Sequence, residues 1–265
     1  MNTHQPPLDN ALTSLRRQWC LISVLYSLSL GLGYTLLYAV WQPGAAQRWT
    51  LLAGCVLSIE LWFLWRWLPD NYRPQEQRLL PRLGAGNMLT ILRGLLIGLL
   101  AGFLFSAWPP GWLAYLPGGL YTLAAVGDSL DGYVSRKTNY TTQLGKRLDM
   151  EADALGMLVA TVLAVQYHQL PVWYLCLGFA HYFFVLGQWW RTQQGKPVYG
   201  LPLHASRRVI GGCQVGFVSA VLWPVFSPPM TTLVGILFGI PTLLSFTRDW
   251  LAVSGHLGPA PSDSL

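Results

Sequence analysis

Eight stretches of roughly 20 mostly apolar residues, each long enough to cross the hydrocarbon core of a bilayer, follow one another along this chain. They lie at 19–40, 49–69, 87–107, 113–134, 147–167, 171–190, 207–226 and 230–250. Backbone polar groups in lipid must be satisfied within their own segment, so this pattern predicts an all-α, polytopic membrane helix bundle. Composition agrees. Only 11% of the 265 residues are charged and 52% are hydrophobic, with a mean hydropathy of +0.37, whereas a soluble domain carries about 25% charged residues. Disorder and a disulfide scaffold are excluded by the same arithmetic. The four cysteines (Cys20, Cys55, Cys176 and Cys213) are far apart, show no metal-ligand spacing and read as small buried hydrophobes.

Orientation follows from the basic residues. If the N-terminus is inside, 16 of the 17 Lys and Arg fall in or beside cytoplasmic segments, and only Arg48 lies on the far side. By the positive-inside rule both termini are expected in the cytoplasm. The net charge of +6 does not point to nucleic acid, because these residues lie beside membrane segments. The expected organisation is a cytoplasmic segment at 1–18, two transmembrane helices within 19–69 and a polar connector at 70–86. A six-helix core at 87–250 and a flexible tail at 251–265 complete it. Within the connector, QEQRLLPRL reads as a short interfacial helix.

The acidic residues are few and clustered. Of 11 Asp and Glu, five fall between 128 and 153. Asp128 and Asp131 are spaced i,i+3 at the end of span four; Asp149 and Asp153 are spaced i,i+4 at the start of span five. Each pair therefore shares a helix face, and Glu151 points away. A short connector lets the two antiparallel helices aim both pairs at one point. Four converging carboxylates do not all stay ionised without cations. Oxygen-only donors favour hard ions, Mg²⁺ or Mn²⁺, and four carboxylates can hold two such ions against phosphates. Gly132 and Gly145 allow close approach to such a site, and Arg136, Lys137, Lys146 and Arg147 place cations nearby.

The stretch DSLDGYVSRKTNYTTQLGKRLDMEAD resembles the signature of the CDP-alcohol phosphotransferase family, Asp-x2-Asp-Gly-x2-Ala-Arg-x8-Gly-x3-Asp-x3-Asp. It reads here as Asp128, Asp131, Gly132, Ser135, Arg136, Gly145, Asp149 and Asp153, with every spacing kept and Ser135 in place of Ala. NMLTILRG at 87–94 is similar to the Asn-x2-Thr-x2-Arg run that opens the family's first helix; Gly86 stands where Pro is often found. The resemblance covers 87–250 and leaves the first two spans outside it, without an assigned role.

That resemblance implies an enzyme of phospholipid synthesis that splits the pyrophosphate of a CDP-alcohol, releases CMP and passes the phospho-alcohol unit to an acceptor hydroxyl. Asp128, Asp131 and Asp149 would hold two divalent ions, with Asp153 at the metal site as general base. Asn87, Thr90, Gly132, Ser135, Arg136 and Gly145 would border the CDP moiety. Arg191, Lys196, Arg207 and Arg208, in the basic loop between spans six and seven, suit a phosphorylated acceptor or ordinary positive-inside enrichment. The expected reaction joins CDP-diacylglycerol and a small polar acceptor, glycerol 3-phosphate first, at a bacterial inner membrane. Transfer from CDP-choline to diacylglycerol is the alternative within the family. A divalent-cation transporter is the alternative outside it. A homodimer is expected from the resemblance alone. Glu60, deep in span two, needs a partner such as Arg93 or a hydroxyl.

Overall fold

The computed structural model describes residues 8–76, 78–138, 140–200 and 205–256. Among them no strand forms, only one isolated bridge, and the apolar segments are helical. The helices are α1 (Leu8–Val40), α2 (Pro43–Trp67), α3 (Ala85–Ala101), α4 (Tyr115–Lys137), α5 (Gln143–Gln166), α6 (Leu175–Gly178), α7 (Ala180–Gln193), α8 (Ala205–Val221) and α9 (Met230–Val253). Three segments are long and apolar enough to cross a membrane by themselves: Asn10–Val40, Pro43–Asp70 and Met230–Val253. The others are shorter, as α3 and α8 are, or carry the carboxylates and bases discussed above. The sixth apolar stretch is not one rod. Pro171 starts a single 3-10 turn at Val172–Tyr174, and the short α6 precedes α7.

Two compact units divide the chain at 159/160, a boundary that falls within α5. The first two helices fall in the same unit as α3 and α4. Its core joins Leu15, Ile22 and Tyr26 of α1 to Leu57 and Leu64 of α2 and to Ile91 and Leu95 of α3. Side-chain-free positions let α3 approach its neighbours. A Cβ on Gly102 would stand 2.5 Å from the Trp49 ring, and that ring is itself buried and packed edge-on against Phe103. With no room for the ring to retreat, Gly102→Ala is expected to cost about 1–3 kcal/mol. Thermal unfolding of the detergent-solubilised protein would register it as a lowered midpoint.

The connector differs from the expected interfacial helix. Its described residues form a turn at Pro74–Glu76 and an antiparallel bridge between Tyr72 and Leu79. Pro81 has no N–H to give a helix, and the Asn71 side chain holds the segment by donating to the carbonyls of Leu80 and Arg82 at 3.0 and 2.9 Å. The four cysteines are free and exposed rather than buried. In a helix that faces lipid, the outer surface is as apolar as the interior, so an apolar setting in the sequence does not imply burial. The expected flexible tail lies outside the described residues from 257 onward.

In the second unit the fully buried Tyr174 accepts a hydrogen bond from Gln214 Nε2 at 2.8 Å. Gly235 and Gly239 of α9 make room for Leu170, Trp173 and Tyr174. The Thr231 hydroxyl donates to the Gln169 carbonyl at 2.8 Å.

Candidate active site

Three helices of the first unit build the acidic site. Along α3, Asn87, Thr90 and Arg93 recur every third residue, which keeps them on one face, and all three are buried. Across from them α4 presents Asp128 and Asp131, and α5 presents Asp149 and Asp153. The four carboxylates meet at the Arg93 guanidinium. Its Nη1 lies 2.7 Å from Asp131, 2.8 Å from Asp149 and 3.2 Å from Asp128, and Nη2 pairs with Asp153. The Thr90 hydroxyl stands 3.0 Å from Asp131 Oδ2 and 3.1 Å from the Gly86 carbonyl.

Exposure separates the four acids. Asp131 is 6% exposed at its side chain, against 48% for Asp128, 45% for Asp149 and 55% for Asp153. One side of the cluster is thus sealed by α3 and the other is open. One oxygen each of Asp128, Asp131 and Asp149 lie within 4.8 Å of one another. A hard divalent ion with oxygen ligands at about 2.1 Å spans roughly 4.2 Å between opposite ligands, so this donor set fits such an ion with small adjustment. Arg93 Nη1 already puts positive charge at the same three carboxylates. Asp153 stands apart from that trio.

The residues expected to border a nucleotide hold one another. Asn87 Nδ2 donates to Thr142 Oγ1 at 3.0 Å and to Asn71 Oδ1 at 3.3 Å. The Gly145 N–H donates to the same Thr142 hydroxyl at 3.0 Å, and a Cβ on Gly145 would run into Asn87. Gly86 likewise makes room for Ser135, and the Arg136 guanidinium folds back over Gly132, 3.1 Å from where a Cβ would be. These glycines admit protein side chains here, from a neighbouring helix at Gly86 and Gly145 and from the same helix at Gly132. Next to them, in the connector after α4, burial pushes the Tyr140 phenol above its ordinary range against the opposing pull of Arg73 and Arg82.

The basic loop belongs to the second unit. Arg191 is in the last turn of α7, where it donates to the carbonyls of Pro197 (3.1 Å) and Ser254 (3.0 Å). Lys196 is exposed. The side chains of Arg207 and Arg208 lie outside the described residues. Glu60 has the Tyr26 hydroxyl 3.4 Å away, one of the two partners expected for it.

Sequence reasoning gave no role in the site to Arg93, Asn71 or Thr142. For Arg93 a signal existed: it is a base inside an apolar span, three residues after Thr90, and such a residue requires a partner. Nothing comparable marks Asn71 or Thr142, which meet Asn87 only through tertiary packing.

Residues 84–253 match the family model described as CDP-alcohol phosphatidyltransferase. Among curated relatives, a CDP-diacylglycerol–glycerol-3-phosphate 3-phosphatidyltransferase of Pseudomonas fluorescens is 39% identical over 82 residues, 31% of this chain and 41% of that protein. Its Bacillus subtilis namesake is 37% identical over 76 residues, 28% and 39% of the two chains. Cholinephosphotransferase 1 of Xenopus laevis is 26% identical over 148 residues, 52% of this chain and 35% of the relative. The chain thus spans about two-fifths or less of the length of these relatives. The family match extends across most of the chain and includes every residue of the acidic site, and the protein belongs to the CDP-alcohol phosphatidyltransferase family.

Proposed function

We propose that this membrane protein transfers a phosphatidyl group from CDP-diacylglycerol to the hydroxyl of a small polar acceptor, glycerol 3-phosphate first, and releases CMP. The observation that carries this reading is the convergence of Asp128, Asp131, Asp149 and Asp153, from two helices, on one buried cation. It is supported by the names of the Pseudomonas and Bacillus relatives.

Asp128, Asp131 and Asp149 would hold divalent ions, Mg²⁺ or Mn²⁺, with Asp153 beside them. When bound, such ions neutralise charge on the pyrophosphate oxygens and on the departing CMP. Asp153 is the most exposed carboxylate of the four, which suits a base that must meet an incoming hydroxyl. It takes the acceptor's proton as the new P–O bond forms, while the bond to CMP breaks and CMP leaves with its electron pair. Asn87, Thr90, Gly132, Ser135, Arg136 and Gly145 would border the nucleotide. Lys196, Arg207, Arg208 and Arg191 are the candidates for a charged acceptor, although Arg191 already serves two backbone carbonyls. The distribution of Lys and Arg supports a site and termini facing the cytoplasm, at a bacterial inner membrane. A homodimer rests on the family resemblance.

A second reading, transfer from CDP-choline to diacylglycerol, is favoured by the longer stretch over which the Xenopus relative matches. A cation transporter would place ionisable residues along a path through the bilayer. Detergent-purified protein supplied with CDP-diacylglycerol, Mg²⁺ or Mn²⁺ and a panel of acceptors is expected to release CMP only with glycerol 3-phosphate, and not in Asp153→Asn. Release from CDP-choline with diacylglycerol alone would establish the second reading. No CMP from any donor would overturn both.

A further inference from the structure

The first two helices have so far only a packing role, yet α1 also bonds the helix that carries Thr90 and Arg93 and the residues just before it. One face of α3, with Gly86, Thr90, Arg93 and Ile97, turns to α4 and α5: Gly86 meets Ser135, and Ile97 meets Gly156. The other face is a row of glycines. Gly94, Gly98 and Gly102 lie against Glu60, Leu57 and Trp49 of α2. Small residues allow close approach, and these contacts are made by side-chain packing against the glycines.

At its far end α2 adds one directional bond, from Arg48 Nη1 to the Phe105 carbonyl at 2.9 Å; those at and before the start of α3 come from α1. Gln18 Oε1 accepts from the Leu83 N–H at 2.9 Å, and its Nε2 donates to the Pro81 carbonyl at 3.0 Å. Eight residues further along α1, the Tyr26 hydroxyl donates to the Ile91 carbonyl at 2.8 Å. Gln18 to Leu83 and Tyr26 to Ile91 are both separations of 65 residues. The two segments therefore keep a common register between anchors about 12 Å apart on α1. Tyr26 is buried, as is Ile91, and Arg93 follows two residues later. A slip of one residue would move Arg93 by about 1.5 Å and turn it by about 100°, away from its four carboxylates.

We propose that the N-terminal hairpin positions the active-site helix, with Gln18 and Tyr26 setting the height of α3 and so holding Arg93 among the carboxylates. The inference rests on the metal-dependent reading of that cluster, and it gives the two helices outside the family resemblance a function in the site. Tyr26 and Gln18 are positioning residues; neither is among the groups expected to touch substrate.

The test is Mn²⁺ binding to the detergent-purified full chain, followed by electron paramagnetic resonance. Arg93 and Mn²⁺ would compete for the same carboxylates. Tyr26→Phe keeps the ring and removes the hydroxyl that bonds Ile91 and stands 3.4 Å from Glu60, and is expected to tighten Mn²⁺ binding about fivefold by loosening Arg93. Gln18→Ala should shift it in the same direction. In an Arg93→Gln background neither substitution should change Mn²⁺ affinity, an outcome that simple loss of stability would not produce. Equal shifts with and without Arg93, or no shift in either variant while the unfolding temperature falls, would overturn the proposal. An enzyme that releases no CMP would overturn the proposed transfer reaction and leave this comparison intact.

Discussion

Asp131→Asn should reduce metal-dependent CMP release by about 10²–10³-fold, on the scale seen when one preorganised charge-stabilising group is lost. Asp131 is the buried member of the acidic cluster, and it contacts both the Thr90 hydroxyl and Arg93. An amide at this position retains the shape and an acceptor oxygen for Thr90 but contributes no negative charge to a divalent ion. The fold should survive, because Arg93 still faces Asp128, Asp149 and Asp153. Steady-state CMP release and thermal unfolding of the same preparation check both halves. Activity within a fewfold of wild type would remove Asp131 from the ion-binding set.

Arg93→Gln has the second large effect, and its sign is less obvious. One guanidinium now balances four carboxylates within hydrogen-bond or ion-pair reach. A divalent ion that uses Asp128, Asp131 and Asp149 must compete with Nη1 for the same carboxylates. Removing a unit charge at such distances leaves the remaining carboxylates more attractive to any other cation. Mn²⁺ is therefore expected to bind at least about tenfold more tightly to Arg93→Gln. In the presence of a chelator the variant should unfold at a lower temperature, because its partly buried carboxylates have lost their counter-charge. A Mn²⁺ titration and a melt in chelator read the two effects. Weaker Mn²⁺ binding would mean that Arg93 organises the ligands rather than competing for them.

How far the sequence carries depends on the range of the interaction. The pairs Asp128/Asp131 and Asp149/Asp153 were legible because i,i+3 and i,i+4 spacing on a helix is a local matter. The helical character of the apolar stretches was legible for the same reason. Long-range placement was not. Arg93 becomes the centre of the site only when α3 docks against α4 and α5, and Asn71 reaches Asn87 only through the folded connector. The connector itself misled, because a periodic apolar pattern in QEQRLLPRL concealed the effect of Pro81 and of the Asn71 side chain. Burial of the cysteines misled for a different reason: in lipid, hydrophobicity does not distinguish inside from outside.

The connector is also stitched to the start of α5. Arg147 Nη1 pairs with Asp70 at 2.7 Å across 77 residues of sequence, and the Gln143 N–H donates to the Tyr72 carbonyl at 2.9 Å. On a ribosome adding about 5–20 residues per second, Asp70 waits about 4–15 seconds for its partner to be made. Throughout that interval the connector is held only by its own bonds and by Gln18 of α1. Biogenesis therefore passes through a stage in which both helices of the hairpin have been made and the connector still lacks its ties to α5, which form once the first turn of α5 has been made.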